Sequence, residues 1–285
     1  MIQNIEPHVL DNSYSPRPPQ DRDFVLIYCD KQAILKVNAN DRQLPTYNEL
    51  PPEWQIAGES LIYLFSVDGT AFFLSLRKVD ESDTLKYEDA LLFFRTLRPK
   101  WLAFSGSTAT HLARWYDGNK FCGECASATE VSVTERAIVC PACGTLDFPQ
   151  ISPVVIVGIT NGERLLLIKH ANGYDRYALV AGYVEIGETL EEAVKREVME
   201  EVGLCVNNIR YYKSQPWAFS QSLLMGFFAD VVGDDSVSID KAELSEGTWF
   251  HRSEIPKDDT TISLTWNMIE AFRSDVCGIV LGPIV

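Results

Sequence analysis

Three glutamates, Glu197, Glu200 and Glu201, stand within one and a half helical turns of each other, and four cysteines, Cys122, Cys125, Cys140 and Cys143, stand in two close pairs. Carboxylates so clustered repel unless cations sit between them, and hard divalent ions such as Mg2+ or Mn2+ are bound through oxygen. The chemistry open to the glutamates is therefore capture of such an ion. A solvated acidic helix face is the plainer alternative, and composition alone favours it. The cysteines form two C-x2-C pairs, Cys122-Gly123-Glu124-Cys125 and Cys140-Pro141-Ala142-Cys143, separated by 14 residues. That spacing lets two knuckles donate four thiolates to one tetrahedral Zn2+ with no position left for a reacting water, so the zinc is structural. It would contribute on the order of 10 kcal/mol toward ordering a segment with little core of its own. Gly123 and Gly144 suit the tight turns of the knuckles. A nucleic-acid-binding ribbon competes with this reading, but Lys120 and Arg136 are mixed with Glu124, Glu130 and Glu135, too balanced for a phosphate surface.

The glutamates need a helix to hold them. Thr189 with Glu192 makes a capping box and Gly203 suits the position just past the end, which predicts a helix of about four turns over Thr189–Val202. Leu190, Val194, Val198 and Val202 line up at i, i+4 spacing as a stripe to bury on a sheet, with Glu197 and Glu201 beside it and Glu200 on the flank. Upstream, apolar runs at 24–28, 33–37, 61–65 and 71–74 read as short strands, the later two joined through Asp68-Gly69 as an antiparallel pair. Ala109, Leu112, Ala113 and Tyr116 predict a helix over Ser107–Tyr116 with Ser107 as cap and Asp117-Gly118 as stop. Three units result: an α+β domain over 1–118, the four-cysteine ribbon over 119–149, and apolar strands around the glutamate helix over 150–285. The apolar tail 278–285 reads as a final strand. Phe93-Phe94 reads as core or interface.

The 285 residues, 46% of them hydrophobic, can supply real cores. A net charge of −15 and a pI near 4.7 argue against a protein that grips long nucleic acid through its phosphates. No run of apolar residues is long enough to span a bilayer and the first residues carry no targeting pattern, so the cytosol is the expected compartment, with no membrane partner. Cys29, Cys205 and Cys277 are left over and read as small buried apolar residues.

The segment from Gly182 to Leu204 resembles the Nudix box, G-x5-E-x7-R-E-U-x-E-E-x-G-U with U aliphatic, at every fixed position. Downstream, Ser214-Gln215-Pro216-Trp217-Ala218-Phe219-Ser220-Gln221-Ser222 resembles the SQPWPFPxS signature of the NADH pyrophosphatase family, which also carries a four-cysteine ribbon before its Nudix domain. The resemblance covers roughly residues 90–270. It implies a Nudix α/β/α sandwich with a mixed sheet after the ribbon and a smaller N-terminal α+β domain, usually as a homodimer. It implies metal-dependent hydrolysis of the diphosphate of NAD(H) to AMP and nicotinamide mononucleotide. Removal of NAD caps from RNA and cleavage of ADP-ribose are the alternatives. By the same resemblance Glu197 and Glu201 bind Mg2+ or Mn2+ together with the Ala181 carbonyl and Glu243, Glu200 is a ligand or base, and Arg196 and Glu188 brace the motif. Substrate contacts are implied for Gln215, Pro216, Trp217, Ala218, Phe219, Ser220, Gln221, Ser222 and Glu135, and more loosely for Arg95 and Ser263. Ala218 and Ser220 stand where the family has prolines, loosening the loop, and Phe148 stands where a substrate-contacting tyrosine is common.

Overall fold

In the computed structural model the described residues are 1–38, 41–55, 61–92, 97–171, 176–257 and 262–274. They fall into two compact units, residues 2–150 and residues 151–285 with Met1. Arg95, Phe93-Phe94, Cys277 and the tail 278–285 lie outside the described residues. No helix among those described is long and apolar enough to cross a membrane.

The first unit is built on a sheet of β1 (Leu10–Asp11), β2 (Phe24–Cys29), β3 (Gln32–Asn38), β4 (Asp41–Gln43), β5 (Ile62–Val67), β6 (Thr70–Ser75) and β7 (Leu85–Asp89). Its order is β1-β5-β6-β2-β3-β4, with β7 also on β3. The Asp68-Gly69 turn joins β5 and β6 as an antiparallel pair, and both residues take positive φ, 50° and 80°, the turn whose twist matches the flanking strands. Helix α1 (Lys100–Gly118) packs across β2, β5 and β6. It begins seven residues before the expected Ser107 cap. Ser107 lies inside the helix, buried, its Oγ donating to the Ala103 carbonyl at 2.6 Å, a bond that lets a mid-helix serine satisfy itself without ending the helix. After α1 come the three short strands of the ribbon, β8 (Glu130–Val131), β9 (Ile138–Val139) and β10 (Leu146–Asp147), paired in the order β10-β9-β8.

The second unit is an α/β/α sandwich on a mixed six-stranded sheet, as expected. Its strands are β11 (Ser152–Asn161), β12 (Arg164–His170), β13 (Val180–Tyr183), β14 (Cys205–Trp217), β15 (Ser222–Val232) and β16 (Leu244–His251). β11 is central: it runs parallel to β15 on one side and takes β13 and then β12 antiparallel on the other. Successive β11 side chains point to opposite faces. Val155, Val157 and Ile159 enter a core with Ala193, Val194, Val198 and Val202 of helix α2 (Leu190–Val202). Val154 and Ile156 enter a second core with Leu264, Met268, Ile269 and Phe272 of helix α3 (Leu264–Arg273). Covering both faces explains why β11 is apolar almost throughout. Cys205 opens the edge strand β14 and is exposed, and Cys29 is only half-buried, so neither is the buried apolar residue expected of it: each lies at a strand end, where packing is incomplete.

Candidate active site

Helix α2 starts and stops as its sequence dictates. Thr189 Oγ1 accepts from the Glu192 N–H at 3.2 Å while Glu192 Oε2 accepts from the Thr189 N–H at 2.8 Å, and Gly203 closes the far end with φ 69°. Burial of Val194, Val198 and Val202 on the sheet, each contributing about 1.5–3 kcal/mol, fixes the rotation of the helix, and with it where the glutamates point.

Glu201 lies on the buried side of that rotation, 4% exposed, and its Oε2 has no hydrogen-bond partner. Burial first, and the neighbouring Glu197 second, push its carboxyl up to about 8 despite a bond from the Ala181 N–H. Glu197 is raised by burial as well, opposed by Arg196. Glu243, on the turn before β16, adds its charge to both. Glu197 packs over Gly182 in β13 so closely that a Cβ there would lie 1.9 Å from its carboxyl carbon. A buried carboxylate oxygen left without a donor costs several kcal/mol, and a neighbouring carboxylate aggravates it, so this donor set fits a hard divalent cation.

Arg196 holds the surrounding loop. Its Nε and Nη2 grip the two Glu188 oxygens, both at 2.8 Å, and Nη2 also donates to the Tyr183 carbonyl at 2.9 Å. Its Nη1 reaches Glu197 Oε1 at 2.7 Å and Glu200 Oε2 at 3.0 Å. The fork holds the Glu188 carboxyl at about 2. At the tip of this loop Ile186 is wholly exposed. Among the described residues, only the four cysteines bring three or more ligating atoms within 4.8 Å of one another.

In the ribbon, Cys122 Sγ lies 3.6 Å from Cys143 Sγ and Cys125 Sγ 3.5 Å from Cys140 Sγ, four soft donors around one point, as a tetrahedral Zn2+ requires. Cys122 accepts at its carbonyl from the Ala126 N–H and Cys140 from the Gly144 N–H, both at 2.9 Å. Gly144 takes φ 79°, but in the first knuckle Ala126 takes the left-handed conformation, φ 59°, not Gly123.

Residues 150–272 match the NUDIX domain family, and residues 118–146 match the NADH pyrophosphatase zinc ribbon domain. The chain carries a Nudix domain behind an NADH pyrophosphatase zinc ribbon. The NAD-capped RNA hydrolase NudC of Salmonella paratyphi C is 45% identical over 148 residues, 51% of this chain and 56% of that protein. The protein of the same name from Pectobacterium atrosepticum is 44% identical over 147 residues, with the same coverage. The chain thus matches about half the length of these relatives. A Nudix hydrolase structure from Nitrosomonas europaea covers 56% of this chain and 93% of its own at 25% identity, with a TM-score of 0.48.

Within the Nudix domain, the other expected site residues divide by environment. Trp217 and Phe219 lie ring to ring at the turn between β14 and β15, centroids 4.8 Å apart and planes tilted by 41°, with Pro216 exposed and Ala218 buried between them. Gln221 ends the turn at φ 54°. Ser222 is buried and donates to the Ser220 carbonyl at 3.0 Å. Gln215 is fully buried: its Nε2 donates to the Ile262 carbonyl at 2.8 Å and its Oε1 accepts from the Leu264 N–H at 2.6 Å. Ser263, between those two backbone groups, caps α3 through the Trp266 N–H. Gln215 therefore clasps β14 to the start of α3, the helix that Ser263 caps. Ala181 pairs with Ile156 in the β13–β11 ladder. Glu135 and Phe148 belong to the other unit, and both are exposed.

Proposed function

We propose that this chain is a Nudix hydrolase that splits NADH or NAD+ at the diphosphate, giving AMP and nicotinamide mononucleotide. The observation that carries the proposal is the buried Glu201 carboxylate, its Oε2 without a hydrogen-bond partner, beside the Glu197 carboxylate that packs over Gly182, in a complete Nudix box. Glu197, Glu201, Glu243 and the Ala181 carbonyl would hold Mg2+ or Mn2+, which when bound neutralises the diphosphate and lowers the pKa of water. In the reaction a water oxygen bonds to one phosphorus, the bridging P–O bond breaks, and a water proton is taken up. Glu200, the most exposed of the three helix glutamates, with 60% of its side chain accessible, would take that proton and pass it to solvent. Trp217 and Phe219 offer the stacking faces for a nucleotide ring, while Pro216, Ala218, Ser220, Gln221 and Ser222 shape the turn beneath it. Gln215, which ties β14 to the start of α3, and Ser263, which caps that helix, are assigned to the substrate from their positions in the sequence. Arg95, Glu135 and Phe148 are assigned to it in the same way.

A zinc-bound ribbon over 119–149, an N-terminal domain over 1–118, a Nudix domain over 150–285, a homodimeric assembly and a cytoplasmic setting complete the reading. NAD caps on RNA are the second substrate class, favoured by the name of the relatives that match and opposed by the charge of −15. Incubation with NADH, NAD+, ADP-ribose and NAD-capped RNA, each with Mg2+ or Mn2+ and with a chelator, tests the proposal. Metal-dependent release of AMP from NADH is expected. Absence of metal-dependent cleavage of all four would refute it.

A further inference from the structure

The carboxylates assigned to the cation come from two places, helix α2 and the turn that carries Glu243, and a single residue ties those places together. The Asp240 N–H donates to the Glu201 carbonyl at 2.9 Å, while its own carbonyl accepts from the N–H groups of Glu243 at 3.2 Å and Leu244 at 2.8 Å. Its Oδ1 accepts from the Ala242 N–H at 2.8 Å. The side chain thereby shapes the turn and the backbone fastens it to the last turn of α2, where helix carbonyls lack partners of their own. One step back, Ser238 N–H donates to the Val202 carbonyl at 3.0 Å. The strap is seated from below as well: a Cβ at Gly247 of β16 would come within 2.9 Å of Ile239 Cγ2 and 3.0 Å of Val237 Cγ1, and the Trp249 indole donates to the Asp235 carbonyl at 2.9 Å. Beyond the turn, the Glu243 carbonyl accepts from the Ala171 N–H at 2.8 Å. Glu243 is close enough to act electrostatically on Glu197 and Glu201 alike.

We propose that Asp240 is a positioning residue: by joining the end of α2 to the Glu243 turn, it sets the separation of the carboxylates that share the cation. The inference rests on the cation site proposed above. Residues that orient ligands from outside the coordination shell are worth about 10–100-fold in metal affinity.

Mn2+ binding to the full chain without substrate, followed by the EPR signal of free Mn2+, tests this apart from turnover. Asp240→Ala, which removes the side-chain acceptor, is expected to weaken binding by about tenfold or more. Asp240→Asn keeps an acceptor for the Ala242 N–H but loses a charge that acts on Glu201, and is expected to weaken binding by much less than Asp240→Ala does. Gly247→Ala displaces the strap from its far side without altering any charge or ligand, and is expected to weaken binding by roughly threefold, a second route to the same conclusion should Asp240→Ala fail to fold. Wild-type affinity in both Asp240→Ala and Gly247→Ala would overturn the inference. Equal weakening in Asp240→Asn and Asp240→Ala would overturn it too, because Asp240 would then act by its charge. A wild-type chain that binds no Mn2+ would overturn the parent reading together with this one.

Discussion

Gly182→Ala places the sharpest demand on the proposed site. The new Cβ would stand 1.9 Å from the Glu197 carboxyl carbon and 2.0 and 2.2 Å from its oxygens, where real Cβ contacts stay beyond 3.0 Å. The backbone of Gly182 is fixed in β13 by its pairing with Val155, so the carboxyl must withdraw by at least about 1 Å, on the scale where reacting groups lose their geometry. Its side chain is only 12% exposed and tied to Arg196 at 2.7 Å, so withdrawal also strains that pair. Overpacking of this kind costs about 1–3 kcal/mol in stability, a fall in Tm of roughly 2–12 °C for a domain of this size. A misplacement of about 1 Å costs about a hundredfold in rate. The assay is kcat/KM for NADH with Mn2+ alongside thermal unfolding with a chelator present. A variant within about threefold of wild type in kcat/KM would show that Glu197 does not need the place it occupies, and the proposed cation site would fall with it.

Replacing Glu201 by Gln should lower turnover by about a hundredfold or more while far-ultraviolet circular dichroism stays unchanged; near-normal turnover would remove Glu201 from the chemistry. Cys140→Ser should release zinc, measured by metal analysis, and make the ribbon susceptible to proteolysis; a zinc-free variant as protease-resistant as the wild type would refute the structural-zinc assignment. Arg210 first, opposed by burial and helped by Asn208 and Thr160, holds the Asp230 carboxyl at about 2, against an ordinary 3.8. Its contribution to stability is therefore present above about 3.8 and lost as pH falls toward 2. The difference in Tm between wild type and Asp230→Asn should shrink across that window, and a constant difference from pH 5 to pH 2 would refute the assignment.

The carboxylate helix was legible because each of its determinants is local. The cap at Thr189, the stripe from Leu190 to Val202 and the stop at Gly203 lie within one stretch of chain, and the cysteine spacing is equally self-contained. Where local signals were equivocal the reading slipped. Ser107 has the chemistry of a cap, but a serine inside a helix can return its proton to the carbonyl four residues back, and only the packing of α1 on its sheet decides between the two. Gln215 sits among aromatics that suggest a ligand site, and no local pattern announces that it also bonds the backbone of Ile262 and Leu264, residues nearly fifty positions away. Asp240 carries no motif at all. Its tie to Glu201 runs through the backbone, which any residue other than proline could supply, so sequence pattern alone contains no trace of it.

Arg196 binds the end of β13 at Tyr183, the loop residue Glu188 and the helix residue Glu197, closing the base of the loop into a ring while Ile186 stands clear in solvent at its tip. That combination makes a ready mounting point for a reporter. A cysteine installed at 186 and labelled with a small environment-sensitive dye would ride on a braced frame beside the carboxylates without replacing any group that the frame uses. Its brightness would follow arrivals and departures at the site in real time, even for molecules that bind and leave uncut.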